Sequence, residues 1–315
     1  MIITPPLNCV STSTEECTST DTGCNSKTSR HAYCIMAHNE PEVLKILVGL
    51  IDDTRNDIYI MVDKKVDISI FRDVSAQHSK LVWCKNRTNV YWGHVSQIRN
   101  ELNLFKEAHQ GGDYSYYHLL SGVDLPIKSQ NFIHEFFSRY NGSEFISISH
   151  SNNVPAIIEQ KLKYYKVLSR YYRRPSRVIT GVARRIRNFS ERIQNLIGYQ
   201  RSYPWAEVQY GSNWVSVTQK FIDYLIFNER LILKTFKGTY CPDEVYKQTL
   251  AFYSDFVDRL SELGNMRAID WERGKPYVWK VSDLNELMSS RAIFARKFDI
   301  NSAKIIKEQF LKEKI

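Results

Sequence analysis

Residues 31–63 read HAYCIMAHNEPEVLKILVGLIDDTRNDIYIMVD, and they set the architecture of the chain. Residues 32–37 form a continuous apolar run of strand length, and residues 57–63 form a second one. Between them, Asn39 to Glu42 supply a capping residue, a proline in the first turn and two acids beside the positive end of a helix dipole. The pattern predicts strand, helix, strand, which is the repeating unit of a parallel sheet.

The helix between these strands has one apolar face. Its members keep the i, i+3, i+4, i+7, i+8 spacing of a buried stripe: Val43, Ile46, Leu47, Leu50 and Ile51. In a parallel sheet, functional loops lie at the carboxyl ends of the strands. Here those ends are residues 37–39 and 63–65, so we expect a binding edge there.

The rest of the chain continues this alternation. Strands are predicted at residues 81–84, 116–120, 144–148, 211–217 and 266–271, and helices at 95–109, 131–140, 219–228 and 281–287. Neither an internal repeat nor a long linker separates the two halves. Residues 31–300 are therefore predicted to be one α/β domain with a mixed, mainly parallel sheet flanked by helices. Residues 1–30 are predicted to be a disordered Ser/Thr-rich lead, and residues 301–315 a C-terminal helix or tail.

Positive charge is concentrated in one part of the chain. The formal net charge is +9, and residues 161–201 carry twelve Lys or Arg against one Glu, interleaved with tyrosines. Such an excess favours an anionic partner. We predict a basic helical insertion at about residues 160–202, with three interpretations open: a solvated helical surface, a patch facing anionic lipid, or a nucleic-acid patch. No recognised nucleic-acid motif accompanies the run, so nucleic acid is not expected as a partner.

The cysteines form no recognisable framework. They stand at positions 9, 17, 24, 34, 84 and 241, with no CxxC pair and no His/Cys cluster of zinc-site spacing. This scatter is typical of free thiols in a reducing compartment. An apolar run of about 18 residues and a signal-peptide pattern are both absent from the sequence, so neither a membrane span nor secretion is expected.

A loop followed by a helix start holds the leading catalytic candidate. Gly238 and Pro242 punctuate the loop, and Asp243 and Glu244 fall where the next helix begins. An acid in a first helical turn commonly just complements the helix dipole, but a carboxylate at this place can also point into a cleft. We interpret Glu244 as a catalytic base.

The usual nucleotide-binding signatures are missing. No GxGxxG follows the first strand, no GxxxxGK[ST] occurs, and no Asp-x-Asp is present to hold a divalent ion against a diphosphate. The developing charge of a leaving diphosphate needs either fixed cations or a metal ion. Arg296 and Lys297, a basic pair inside an aromatic frame, are the candidate cations.

Six blocks in series resemble one enzyme family. They are residues 31–63, 91–93 (YWG), 121–126 (SGVDLP), 211–214 (GSNW), 241–244 (CPDE) and 294–299 (FARKFD). In order and approximate spacing they are similar to the core-2/I-branching β-1,6-N-acetylglucosaminyltransferases, a family that also contains peptide O-xylosyltransferases. The resemblance covers roughly residues 31–300. It implies an A-type glycosyltransferase fold with a Rossmann-like nucleotide-binding half.

The resemblance also implies a reaction and its residues. The reaction is an inverting, metal-independent transfer of N-acetylglucosamine or xylose from a UDP-sugar to a saccharide hydroxyl, without a cofactor. Glu244 would deprotonate the acceptor, and Lys297 would hold the diphosphate together with an upstream basic residue, Lys275 or Lys280. The other residues of the nucleotide pocket would be Met36, His38, Asp63, Ser121, Asp124 and Arg296.

For the acceptor side the resemblance implies fewer residues. Trp271 matches a tryptophan of the animal enzymes, but Arg273 stands where their acceptor-contacting tyrosine would be. Trp214 is either a sugar platform or a core residue. The membrane anchor and disulfides of the animal enzymes are missing from this sequence. We therefore expect a cytoplasmic, bacterial-type relative, peripheral at the inner membrane face and acting on a saccharide that can be lipid-linked.

Two other functions stay open at this point. One is a nucleotide- or saccharide-binding protein without turnover, and the other is a basic module that binds membrane surfaces or nucleic acid. UDP release from a UDP-sugar separates the first from an enzyme, and binding to lipid vesicles tests the second.

Overall fold

The structure is a computed structural model that describes residues 29–274 and 276–312, and its strands form two sheets. The strands are β1 His31–Ala37, β2 Asn56–Val62, β3 Lys80–Trp83, β4 Tyr116–Ser121, β5 Asp124–Pro126, β6 Ser216–Thr218, β7 Arg267–Ile269 and β8 Phe294–Arg296. The main sheet has the order β3-β2-β1-β4-β6, in which only β6 is antiparallel to its neighbour. The small sheet has the order β5-β8-β7.

Helices cover both faces of the main sheet. They are α1 Pro41–Ile51, α2 Ser96–Gly111, α3 Gln130–Arg139, α4 Val154–Leu162, α5 Arg177–Leu196, α6 Gln219–Phe227, α7 Glu229–Thr235, α8 Tyr246–Phe252, α9 Leu284–Ser289 and α10 Ile300–Lys312. One apolar core lies between the sheet and α1, α3 and α10, and it includes the small sheet. A second core lies under α2, α6, α7 and α8.

The central position of β1 in the sheet explains why its sequence is apolar throughout. Tyr33 and Ile35 of β1 enter the first core, while Ala32 and Cys34 enter the second. A parallel strand buried on both faces cannot show the alternating pattern of a half-exposed strand. The mixed α/β fold with a mainly parallel, helix-flanked sheet is thereby confirmed.

One detail of the first predicted helix is wrong. Pro41 opens α1 as expected, but the residue before it, Glu40, has a left-handed backbone with φ of 51° and makes no side-chain capping bond. The amides of Val43 and Leu44 bond to the Glu40 carbonyl instead, at 3.1 Å each. These two amides at the start of α1 therefore bond to a backbone carbonyl, without the predicted capping side chain.

The strand predicted at residues 144–148 is also wrong. Glu144 and Phe145 make only single bridges, to Leu260 and Ser216. The buried Glu144 carboxylate accepts from the backbone amide of Thr218 at 2.9 Å and from its hydroxyl at 2.5 Å. Because a buried carboxylate must find donors, this segment follows the bonds to Thr218 instead of a strand ladder.

Only the end of the strand predicted at residues 211–217 pairs, since β6 begins at Ser216. The earlier residues bond to helical parts of the chain. The amide of Gly211 donates to the Glu244 carbonyl at 2.9 Å, and the Asn213 side chain donates to Glu101 at 2.6 Å. The segment 211–214 is therefore a loop that connects functional candidates.

Several sequence predictions fall outside the described residues. They are the lead at residues 1–30, apart from its last two positions, Cys9, Cys17, Cys24 and Lys275. Within the described ranges, Cys34, Cys84 and Cys241 are buried free thiols. No described helix combines the length and the apolar character needed to cross a bilayer.

Candidate active site

The carboxyl ends of the central strands meet at one edge of the main sheet. Backbone bonds tie these ends together: the amide of Gly122 donates to the Met36 carbonyl at 2.9 Å, and the amide of Asp63 donates to the Ala37 carbonyl at 3.0 Å. The strand order places β1 between β2 and β4, so residues that follow all three strands are neighbours. The predicted residues Met36, Asp63 and Ser121 thus lie along this edge.

A buried acid holds an arginine at this edge. Asp124 and Arg296 face each other across β5 and β8, and Arg296 Nη1 lies 2.6 Å from Asp124 Oδ1. The other carboxylate oxygen accepts from the Ser121 amide at 2.8 Å. Burial raises the pKa of Asp124, and Arg296 opposes that rise. The Arg296 guanidinium also stacks on the ring of Trp214, 4.3 Å from its centroid, so Trp214 is a platform for a cation in this structure.

Basic groups surround the end of β2. Asp63 accepts from the Lys65 amide at 3.0 Å, and the Lys65 ammonium lies 3.2 Å from the same carboxylate. Arg87 donates to the carbonyl of Asp63 at 3.0 Å. The pKa of His38 is lowered, first by desolvation and further by Arg296 and Lys65, while Asp63 opposes the shift. The charges of Asp63, Lys65 and Arg296 therefore all act on the His38 imidazole.

Lys297 continues from Arg296 into the same region. Its amide donates to the Tyr277 carbonyl at 3.3 Å, and its carbonyl accepts from Trp279 at 3.0 Å. Among the described residues, the Lys297 ammonium has no carboxylate partner. Lys280 is exposed, with its ammonium 6.0 Å from the Tyr277 ring centroid. Of these two neighbouring cations, Arg296 has an acidic partner and Lys297 has none among the described residues.

The second half of the site is the turn that carries Glu244. Pro242–Glu244 form a 3₁₀ turn, entered through Cys241 in a left-handed conformation with φ of 49°. The Cys241 amide donates to the Gly93 carbonyl at 2.9 Å, which fixes the turn against another loop. The Glu244 carboxylate forms an ion pair with Lys161, whose ammonium also lies 4.6 Å from the Tyr210 ring centroid.

A buried network supports this turn from below. Glu101 and Lys247 form an ion pair at 2.7 Å, and both side chains are fully buried. Glu101 also accepts from the Tyr246 hydroxyl at 2.8 Å and from Asn213 at 2.6 Å, and Lys247 donates to Asn213 at 2.5 Å. These bonds join α2, α8 and the loop 211–214 into one unit. Burial lowers the pKa of Lys247 despite the neighbouring Glu101.

Asp243, the neighbour of Glu244, has a different environment. It is buried, and Gln97 donates to its Oδ2 at 2.8 Å, while its Oδ1 has no hydrogen-bond partner among the described residues. Burial raises the pKa of Asp243, and the nearby Glu244 and Glu101 raise it further. Two adjacent acids thus differ in role: one faces inward and one reaches the surface.

The loop 211–214 connects the two halves of the site. Gly211 at its start is bonded to Glu244, and Trp214 at its end carries Arg296. Three successive Cα steps of 3.8 Å separate Gly211 from Trp214, so their Cα atoms are at most about 11 Å apart. Glu244 and the cations of the sheet edge therefore flank one short loop.

Of the three predicted acceptor residues, Trp214 contacts Arg296, whereas Trp271 and Arg273 lie beside a cavity next to β8. Trp271 is exposed and lines a cavity of about 650 Å³ together with Arg267, Trp279 and Glu286. The residues that line this cavity do not include Glu244 or Arg296.

Near that cavity, the Arg273 guanidinium is occupied by ion pairs. It pairs with Asp270, with Asp283 at 3.4 Å and with Glu286 at 2.8 Å. No cluster of three or more His, Cys, Asp or Glu side chains suited to a metal ion occurs within residues 29–274 and 276–312.

Three charged residues of the site were not singled out from the sequence. Glu101 interrupts the apolar face of α2 between Ile98 and Phe105, and a charge on an apolar face is a usable signal. Lys247 is three residues before the buried Leu250 and carries the same signal. Lys161 had no signal of its own, because it is one of twelve cations in the basic segment.

Comparison with known proteins adds a family context. A family model described as Core-2/I-Branching enzyme matches residues 31–288. Xylosyltransferase sqv-6 of Caenorhabditis briggsae is 25% identical over 277 residues, which cover 76% of this chain and 31% of that protein. The human beta-1,3-galactosyl-O-glycosyl-glycoprotein beta-1,6-N-acetylglucosaminyltransferase is 22% identical over 306 residues, which cover 86% of this chain and 66% of that protein.

These relatives are longer than this chain, which spans about a third of the nematode protein and about two thirds of the human one. Among solved structures, apo mouse Xyloside xylosyltransferase 1 aligns with a TM-score of 0.35 and 10% identity, covering 85% of this chain and 97% of that one.

Proposed function

This chain belongs to the Core-2/I-Branching enzyme family, and we propose that it moves a sugar from a UDP-sugar to a saccharide hydroxyl with inversion and without a metal ion. The family match and the transferase relatives identify a glycosyltransferase domain. The names of the relatives include xylosyl and N-acetylglucosaminyl transfer, so N-acetylglucosamine and xylose are the proposed donor sugars.

The observation that carries the proposal is how Glu244 is presented. Its side chain is 27% exposed, whereas that of its partner Lys161 is only 13% exposed. A general base must be ionised, reachable and fixed in place. The Lys161 contact, the 3₁₀ turn and the buried network below provide the fixed position, and the exposure leaves the carboxylate open to an acceptor.

The proposed step balances as a single displacement. The acceptor hydroxyl oxygen bonds to the anomeric carbon while the bond from that carbon to the UDP oxygen breaks, which inverts the centre. The hydroxyl proton passes to Glu244. The negative charge that develops on the departing diphosphate is stabilised by Arg296 and Lys297, with Lys65 at the same sheet edge.

Two cations of the protein at the sheet edge support the proposal that no metal ion is needed. Arg296 is oriented by Asp124, and Lys297 has no acidic partner among the described residues. The sequence has no Asp-x-Asp with which to bind a divalent ion beside a diphosphate. Fixed side chains would then neutralise the leaving group.

The test is UDP release from UDP-N-acetylglucosamine and UDP-xylose, with a panel of saccharide acceptors, in the presence of EDTA. We expect acceptor-dependent release that chelation leaves unchanged. Activity that EDTA removes and Mg²⁺ or Mn²⁺ restores would overturn the metal-independent mechanism. Nucleotide binding without release from either donor would instead identify a binding protein.

A further inference from the structure

Helix α5 exposes an apolar stripe along most of its length. The stripe consists of Val178, Val182, Ile186, Phe189, Ile193 and Leu196. These positions are three or four residues apart, so they lie on one side of the helix. Every one of them is at least 42% exposed, and Phe189 and Leu196 are 65% and 86% exposed. A soluble surface rarely leaves so many large apolar side chains contiguous and uncovered.

The opposite side of α5 faces the protein. Ala183 and Gln194 are its buried residues, and Gln194 accepts from the Tyr165 amide at 2.7 Å. Glu191 pairs with Lys166 at 2.9 Å. The helix therefore packs on the rest of the basic insertion, and its apolar stripe points away from that contact. Each member of the stripe keeps two fifths or more of its surface exposed, so the described part of the chain leaves the stripe largely open.

Arginines border the apolar stripe. Arg185 lies three residues after Val182 and four before Phe189, and Arg192 lies three after Phe189 and four before Leu196. The single acid of this helix, Glu191, is occupied by Lys166. The outer surface of α5 is thus apolar along its centre and cationic at its edge, which matches an anionic lipid interface. A second copy would bring the same positive charge against it, and like charges repel.

We propose that α5 lies in the plane of an anionic membrane surface, with its stripe among the acyl chains and its arginines at the lipid phosphates. Twenty residues of helix give a contact about 30 Å long. The binding is peripheral, because the helix is seated on the protein along its other side.

The same insertion reaches the Glu244 turn. The ring of Tyr172, below α5, lies 5.8 Å from that of Tyr240, and the Lys166 amide donates to the Gly238 carbonyl at 2.7 Å. Docking of α5 would therefore hold the candidate site close to the bilayer. If the proposed function holds, the acceptor class that this placement favours is a saccharide linked to lipid.

The test is flotation of the full chain with phosphatidylcholine vesicles that either contain or lack phosphatidylglycerol. We expect binding only to the anionic vesicles and a decline with added salt. Ile186→Ser/Phe189→Ser/Ile193→Ser should weaken binding at least about tenfold. The matched control replaces three exposed apolar residues elsewhere: Ile70→Ser, Phe227→Ser and Leu231→Ser.

A second pair of variants tests the charge. Arg185→Gln/Arg192→Gln should weaken binding to the anionic vesicles about thirtyfold, because each cation at the surface contributes about fivefold. The control Lys45→Gln/Arg72→Gln removes two charges outside the insertion and should bind like the unaltered chain.

Three results would overturn the membrane proposal: no flotation of the unaltered chain, equal flotation of the stripe variant, or a dimer that the stripe substitutions dissociate. An unchanged thermal midpoint shows that the stripe variant is folded. Glu244→Gln should float normally, so failure of the proposed reaction and failure of membrane binding give different results.

Discussion

The two ion pairs of the candidate site are opposite in exposure. In the pair at the sheet edge, the Asp124 side chain is 3% exposed and that of Arg296 is 20% exposed. In the pair at the 3₁₀ turn, the cation Lys161 is the more buried partner and the acid Glu244 the more exposed one. The buried member of each pair orients the other, so one side of the candidate site offers a positive charge and the other offers a carboxylate.

The two pairs are also supported differently. Asp124 is held by the backbone of its own strand turn, through the Ser121 amide. The Glu244 turn rests on side chains, the buried pair of Glu101 and Lys247 with Asn213. A backbone support tolerates substitutions around it, whereas a side-chain support depends on each of its members.

The largest expected effect is on Glu244 itself. Glu244→Gln should lower the turnover rate on the order of 10³-fold, because a general base is lost, and leave UDP affinity unchanged. Steady-state kinetics and calorimetric UDP titration measure the two quantities. Glu262→Gln, which removes an exposed acid outside the candidate site, should retain activity. A Glu244→Gln variant with normal turnover would end the assignment of a base to this pair.

The next effect concerns the support of the turn. Lys247→Met should lower the free energy of unfolding by about 3 kcal/mol or more, because it leaves the Glu101 charge buried and unpaired. Replacing both members, as Glu101→Leu/Lys247→Met, should recover much of that loss. Urea unfolding of the two variants measures the difference. Equal stability of single and double variants would mean that the pair does not act as a unit.

The sheet edge should respond through binding. Arg296→Ala should weaken UDP affinity about thirtyfold, because a charge-assisted bond to a phosphate contributes about 2 kcal/mol. Lys297→Ala should act in the same direction, and the exposed Lys280 should matter less. Lys304→Ala on α10 is the matched control, and calorimetry is the measurement. Unchanged affinity in both Arg296→Ala and Lys297→Ala would place the diphosphate elsewhere.

The smallest expected effect, at most about 1.4 kcal/mol for each pH unit, is a change in the slope of stability against pH. The raised pKa of Asp243 means that the folded chain holds a proton that the unfolded chain releases. Stability therefore falls as pH rises from the ordinary titration range of an aspartate to about 8.

Asp243→Asn should make that fall flatter. Some slope should remain, because burial also raises the pKa of Glu144, to about 7. Chemical unfolding at several pH values measures both slopes. An unchanged slope in Asp243→Asn would show that this acid is ionised in the folded chain.

The sequence predicted the elements whose pattern is local. Burial can be predicted from local sequence for the apolar runs of β1, β2 and β4 and for the apolar face of α1. All four elements are observed. The alternation in the loop 211–214 predicts a strand, and this prediction is wrong. Its bonds go to Glu101 and Glu244, which are distant in sequence.

The partners of the site residues were harder to predict. Glu244 and Arg296 could be proposed from the sequence, since each stands in a recognisable block. Lys161 could not, because pairing across 83 positions depends on how the basic insertion folds back. Pairing of this kind is set by tertiary packing, which one-dimensional periodicity does not encode.

Gly93 shows how closely the geometry of the Glu244 turn is constrained. Its φ is +72°, and a Cβ at this position would lie 2.7 Å from the ring of Tyr240. Any larger residue would wedge apart the two loops that the bond from Cys241 to Gly93 draws together. Glycine at position 93 is thus a spacing requirement for the Glu244 turn, and even alanine there would displace Tyr240 and the turn that follows it.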